Sequence, residues 1–211
     1  QTELVREAPE DPEEMACLLI RETGERVNQE LVQRMAEYIA VSRQGLRESD
    51  LQALLESEGI LWNSLDFSRT VHYMPMLFTE RNNGQIDFTH RIIRSGLRMG
   101  LDKEEMERRI FTYLKGLPGE DELRMNEMVH YCHVLDEKKY LAEYLQHEEG
   151  KALEKAAQEL YMVCMEDSGE WYAAVLQGNE AFKCGREMAV FVWNHFAEAF
   201  VRGSMLELRI Q

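Results

Sequence analysis

The sequence predicts a mainly α-helical chain in two parts, and three observations carry that prediction. Prolines are scarce, four in 211 residues, and good helix formers dominate, so long uninterrupted helices are possible. One convincing β signal, Asn82-Asn83-Gly84 between two short apolar runs, interrupts an otherwise helical pattern. Turn residues then recur to the end of the chain and divide it into roughly six further helical segments.

Residues 1–14 are polar and acidic, hold two prolines and read as a linker. Met15, Leu18, Leu19 and Ile20 follow in a short helical pattern that ends near Thr23-Gly24. A second helix is expected from about Asn28 to Ser42, because Val27, Leu31, Met35, Tyr38 and Ile39 fall near helical spacing. A third starts with Ser49 as N-cap and Asp50 behind it, and carries Leu51, Leu54 and Leu55. A fourth follows Glu58-Gly59, holds Trp62, Leu65, Phe67, Val71 and Met74, and ends near Pro75. Residues 77–81 and 85–88 form the arms of the hairpin, and a helix resumes at Thr89 or His90. Later breaks fall near Pro118-Gly119, Leu135-Asp136, Glu149-Gly150, Asp167-Ser168-Gly169 and Cys184-Gly185. Three or four helices closed by a β wing are the order of a winged-helix domain, so residues 1–100 read as a lead-in helix and a winged-helix-like domain. Residues 101–211 read as antiparallel helix pairs, a TPR-like α-solenoid, on architecture alone because no 34-residue repeat is present.

Composition narrows the function classes. A hydrophobic content of 45% excludes wholesale disorder. A net charge of −15 disfavours nucleic acid and anionic lipid unless a local basic face exists. No apolar run approaches the roughly 20 residues that span a bilayer, and no signal-peptide pattern opens the chain. Cys17, Cys132, Cys164 and Cys184 are scattered with no CxxC, which reads as reduced thiols and a cytoplasmic location. The first residue is Gln1 rather than Met, which reads as a piece of a longer protein.

The expected chemistry is equally sparse. A phosphate loop needs Gly-x-x-x-x-Gly-Lys-Ser/Thr, but the one Gly-Lys, Gly150-Lys151, has Leu145 and Ala152 in the decisive places. No Gly-x-Ser-x-Gly elbow occurs. The acid clusters Glu104-Glu105, Glu120-Asp121-Glu122 and Glu148-Glu149 read as helix starts and solvated faces. His130 and His133 share a helix face while Cys132 points elsewhere, short of the four converging ligands of a zinc site. No catalytic residue, metal site or cofactor is therefore expected within the chain. Residues 28–100 hold eight Arg against nine Asp or Glu, too few cations for a DNA reader. Arg91, Arg94 and Arg98, at i, i+3 and i+7, form a candidate basic face for an acidic partner.

Several of these stretches resemble STAND proteins, the NACHT and NB-ARC class of signalling ATPases. The run Val41-Ser42-Arg43-Gln44-Gly45-Leu46-Arg47-Glu48-Ser49-Asp50-Leu51 is similar to the segment after the NTPase module, where a Ser-Arg-x-Gly-Leu turn leads into Glu-x-Asp/Glu-Leu. Ile86-Asp87-Phe88-Thr89-His90-Arg91 resembles the family's strand running into a Phe-x-His helix start. Leu117-Pro118 onward resembles the short helix pairs that follow, with Glu127–His133 at the place of a Leu-x-Tyr-His helix. The resemblance covers about residues 14–145 and implies a winged helix that packs on an upstream NTPase module and holds ADP in the closed state. It also implies that His90 contacts the nucleotide's β-phosphate, as the His of a Met-His-Asp motif does. Thr89 and Arg91 stand here in place of that Met and Asp.

The functional expectation is a non-catalytic regulatory piece of a STAND-type NTPase, with ADP or ATP on the upstream module and a protein partner on the helical array. The alternatives are a winged-helix transcriptional regulator on DNA and a free-standing helical adaptor.

Overall fold

The computed structural model describes residues 11–81, 83–99 and 101–147, and beyond them 151, 152, 155, 156 and 159. Among these residues the protein is mainly helical, with eight helices and one small three-stranded antiparallel sheet. The chain divides into two units, the first ending at Tyr113 and the second starting at Leu114. The expected division at residue 100 lies earlier, because the first turns of the helix that follows belong with the first unit through Arg109 and Tyr113, described below.

In the first unit, α1 spans Pro12–Arg26, α2 Gln29–Val41, α3 Glu48–Ser57, α4 Ser64–Tyr73 and α5 Arg91–Arg98. The strands are β1 Leu46–Arg47, β2 Phe78–Glu80 and β3 Gln85–Phe88. α1 starts inside the expected linker because Asp11 accepts the Glu13 amide and Pro12 takes the first helical turn, where it has no hydrogen bond to lose. It also runs through Thr23-Gly24. Both are buried, and a Cβ on Gly24 would lie 2.8 Å from the Gln29 side chain, so close approach rather than a chain break explains this glycine.

α2 is the centre of the unit. Asn28 caps it by accepting the Leu31 amide at 3.2 Å, and Leu31 through Val41 are buried almost all round. α1, α3, α4, α5 and β3 all pack on it. A helix enclosed in this way buries more than one apolar stripe, and its narrow polar face is Gln29, Glu30, Gln33, Arg34 and Glu37.

The sheet has one strand more than the sequence announced. β1, only two residues long, pairs antiparallel with β3, Leu46 opposite Ile86, and gives the order β1-β3-β2. A pair so short has no periodicity to read. β2 pairs with β3 as expected, Phe78 opposite Phe88 and Glu80 opposite Ile86, and the Phe78 and Phe88 rings stack at 5.2 Å. Gly84 takes φ +76 in the connection. β3 is buried at all four residues instead of alternating, because it is the central strand. α3 starts two residues earlier than a Ser49 cap requires: Arg47 is the N-cap residue, and Asp50 at N3 accepts its amide at 2.9 Å.

In the second unit, α6 (Lys103–Gly116) contributes its last residues, followed by α7 (Glu122–Val134) and α8 (Lys138–His147). Asp121 caps α7 by accepting the Leu123 and Arg124 amides. Asp136, at φ +56, turns the chain so that α8 folds back to pack on α7. Leu123, Met128, Val129, Tyr131, Leu141 and Leu145 form the core. The breaks expected near residues 118 and 135 are present. Those near 149, 167 and 184 lie outside the described residues.

Candidate functional site

The residue singled out by the sequence, His90, is the N-cap residue of α5, with extended backbone at φ −127 and ψ 136. Its imidazole is exposed and makes no capping hydrogen bond, so the first amides of α5 have no side-chain cap. Thr89 is exposed too, and its amide donates to the Leu77 carbonyl at 2.9 Å, which extends the hairpin to the edge of the helix.

The three arginines of α5 part company. Arg91 is exposed. Arg94 turns inward to the Asp87 carboxylate and donates to the carbonyls of Ser42 and, at 2.7 Å, Arg43. Arg98 donates to the carbonyls of Ala40, Val41 and Ser42. The C-terminus of α2 leaves its last carbonyls without helical partners and carries the negative end of the helix dipole. Two guanidinium groups satisfy those acceptors together with Ser42, whose hydroxyl donates to the Ile39 carbonyl at 2.8 Å. Of the group read as a basic face for an acidic partner, only Arg91 is thus left in solvent. Arg94 and Arg98 are committed to an acceptor inside the same chain.

The Ser-Arg-x-Gly-Leu turn acquires a physical reason. Ser42 Oγ closes α2 and also accepts the Gly45 amide at 3.1 Å. Gly45 sits at φ +84, and a Cβ there would run into the Ile86 carbonyl oxygen. Leu46 then enters β1 and is 1% exposed. Each residue type in the turn answers a local demand: cap, close approach, core.

Three carboxylates, Asp87 and Asp50 buried and Glu58 largely covered, organise the unit. Asp87, 1% exposed, takes both Arg81 and Arg94 and the amide of Phe88. Asp50, fully buried, accepts the Arg47 amide and guanidinium and, at 2.8 Å, the Tyr113 hydroxyl. Glu58 at the end of α3 pairs with Arg34 at 3.0 Å and Arg109 at 2.7 Å and accepts the Tyr38 hydroxyl. Burial, reinforced by the Glu58 carboxylate, pushes the Tyr38 phenol well above its ordinary range. Buried charge without a partner is strongly disfavoured, so these constellations read as joints between α2, α3, α5, α6 and the hairpin. Asp87 and Glu58 were not singled out from the sequence. The available signal was an acid inside an apolar strand, Ile86-Asp87-Phe88, with arginines on either side.

An open groove of about 310 Å³ runs between α3 and α6, with Arg108 and Arg109 on its wall. Both arginines are already paired, with Glu104 and with Glu105 and Glu58. Glu104 and Glu105, read as exposed acids, are the i, i+4 partners of those arginines.

In the second unit Cys132 is fully buried, and burial, with Glu137 adding to it, pushes its thiol well above the usual range. His130 and His133 are half-buried on the same helix. Among the described residues no three His, Cys, Asp or Glu side chains come together as a metal site would require. None of the described helices is long and apolar enough to cross a membrane. Comparison of the chain with protein-family models, curated proteins and solved structures finds no match.

Proposed function

We propose that this chain is a non-catalytic regulatory and interaction piece of a STAND-type signalling NTPase. Residues up to about 100 act as a winged-helix switch arm, and the helix pairs that follow act as scaffold or sensor. The observation that carries this reading is the run from α2 to α5: helix, short strand, two helices, hairpin, helix. The Ser42–Leu46 turn and the Phe88-Thr89-His90 junction lie within that run, and their order along the chain supports the reading. The joint between Asp87 and Arg94 supports it further, since it fastens the hairpin to α5 and makes the position of His90 follow the wing. In this reading ADP or ATP lies on the protein's own upstream NTPase module, His90 contacts the β-phosphate, and a protein partner takes the helical array. A cytoplasmic location goes with it.

The coding sequence ahead of Gln1 tests this directly. It should encode a Gly-x-x-x-x-Gly-Lys-Ser/Thr loop, and a natural start at or just before Gln1 removes the proposal. In the full-length protein His90→Ala should weaken ADP retention about tenfold, the scale of one charge-assisted hydrogen bond. The reading as a DNA-bound regulator fares less well on α4, whose outward side offers Leu65 and Tyr73 beside a single arginine, Arg69, paired with Asp66 at 3.8 Å. Salt-dependent duplex binding with a clear specificity ratio would restore it.

A further inference from the structure

Four large apolar side chains left in solvent fall in one short stretch: Leu61 is 86% exposed, Leu65 56%, Tyr73 51% and Met76 80%. On α4, Leu65, Arg69, His72 and Tyr73 lie within about 100° of arc. Phe67 and Thr70 occupy the opposite side and are buried. Leu61 precedes the helix and Met76 follows it, so an exposed apolar side chain flanks α4 at each end. The four residues expose on the order of 500 Å² of mostly apolar surface, at the upper end of the largest patch a monomer ordinarily shows.

Charge and spacing indicate what covers the strip. The chain carries −15, yet residues 59–77 hold one acid, Asp66, and one base, Arg69, paired with each other. Here two copies of an acidic chain meet without setting acid against acid. The apolar spacing also matches itself. Two α4 helices laid antiparallel about a two-fold axis near Arg69 set Leu61 against Met76 of the second copy and Leu65 against Tyr73 of the second copy. Symmetry repeats both contacts, as a self-complementary patch requires.

We infer that the α4 strip is a self-association surface whose occupant is a second copy of this chain. The inference stands independently of the proposed STAND role. Two patches of this size reach only the low end of specific interfaces, so the dimer is a weak one, in the micromolar range. Sedimentation equilibrium of the 211-residue chain over roughly 5–200 µM tests it. A reversible monomer–dimer equilibrium is expected, tightened when salt rises from about 50 to 500 mM, because screening removes the net repulsion and leaves the apolar contact. Leu61→Ser and Met76→Ser should each weaken it about tenfold, and Leu61→Asp more. Val134→Ser alters an apolar residue in the second unit and should leave it unchanged. A chain that stays monomeric at both salts, a dimer that loosens with salt, or one indifferent to both serine variants overturns the inference.

Discussion

The two units place their cations in different company. In the first, Arg34, Arg81, Arg94 and Arg109 close on buried or largely covered carboxylates, and Arg98 joins Arg94 on the end of α2. In the second, Lys115 lies 5.4 Å over the Tyr140 ring and Arg124 5.4 Å over the Tyr144 ring, around an apolar α7–α8 contact with a buried thiol. The first unit is therefore wired by directional joints, each fixing two or three elements at once. The α7–α8 contact is apolar packing around Leu123, Val129 and Leu141, and the buried Glu127 beside it has an interaction of its own. A joint fails abruptly when one member is lost, since the remaining charge stays buried. A packed contact fails in proportion to the volume removed.

The largest effects should come from breaking one contact of each kind. Asp87→Ala takes the carboxylate away from Arg94, whose side chain is 13% exposed, and removing one partner of a buried pair costs about 3–5 kcal/mol. Leu141→Ala in the second unit opens a cavity at a fully buried site and costs about 2–5 kcal/mol. Site-resolved hydrogen exchange separates the two. Asp87→Ala should speed exchange in α2, α5 and the hairpin, and Leu141→Ala in α7 and α8. A loss below about 1 kcal/mol in Asp87→Ala, the range of an exposed ion pair, would mean that the joint is a surface contact after all.

Next comes the turn that lets the first unit close its sheet. Gly45→Ala forces a side chain into positive φ and against the Ile86 carbonyl, a combination worth about 3 kcal/mol or more. Gly84→Ala has the same backbone problem at φ +76 but open space around it, so about 1 kcal/mol is expected. Denaturant titration of the two variants measures the difference. Equal losses would show that the approach of the turn to β3 contributes nothing.

A smaller effect should appear on the alkaline side. The folded state raises the pKa of both Cys132 and Tyr38, so it favours their neutral forms. That stabilisation is present in full below the ordinary pKa of each group and is lost as pH climbs past it, from about 8.5 for the thiol and about 10 for the phenol. The Cys132 step in the second unit should come at lower pH than the Tyr38 step in the first, and Cys132→Ala should abolish it. Hydrogen exchange corrected for its intrinsic pH dependence reads both steps, and simultaneous loosening of the two units would discard the assignment.

Most of the fold was legible and most of the wiring was not. Helix positions followed from apolar spacing, Asn-Gly marked the hairpin, and Pro118-Gly119 and Leu135-Asp136 marked the later turns, because these signals are local. β1 escaped because two residues carry no period. α1 ran on through Gly24 because that glycine answers to Gln29, a contact no local rule contains. The arginines of α5 show the limit most clearly. Their spacing marked Arg91, Arg94 and Arg98 as one cluster, but what each guanidinium faces depends on α2, some fifty residues earlier in the chain. His90 was placed correctly at a helix start, and its exposure is a property of the folded neighbourhood.

That division within α5 gives the smallest expected effect on stability. Arg91 and His90 are exposed, and His90 makes no capping bond. His90→Ala and Arg91→Ala should therefore each change the stability of the first unit by no more than about 0.5 kcal/mol. Arg94→Ala, one turn further along the same helix, takes one guanidinium from the buried Asp87 and from the carbonyls of Ser42 and Arg43, and should approach the loss of Asp87→Ala. The pair of results separates structure from function on one helix. If His90→Ala leaves the chain as stable as before, any change in nucleotide retention by the full-length protein has to be explained by contact rather than by misfolding. A marked loss of stability in His90→Ala, seen in a denaturant titration, would instead make His90 one more structural joint and remove it as a phosphate-contacting residue.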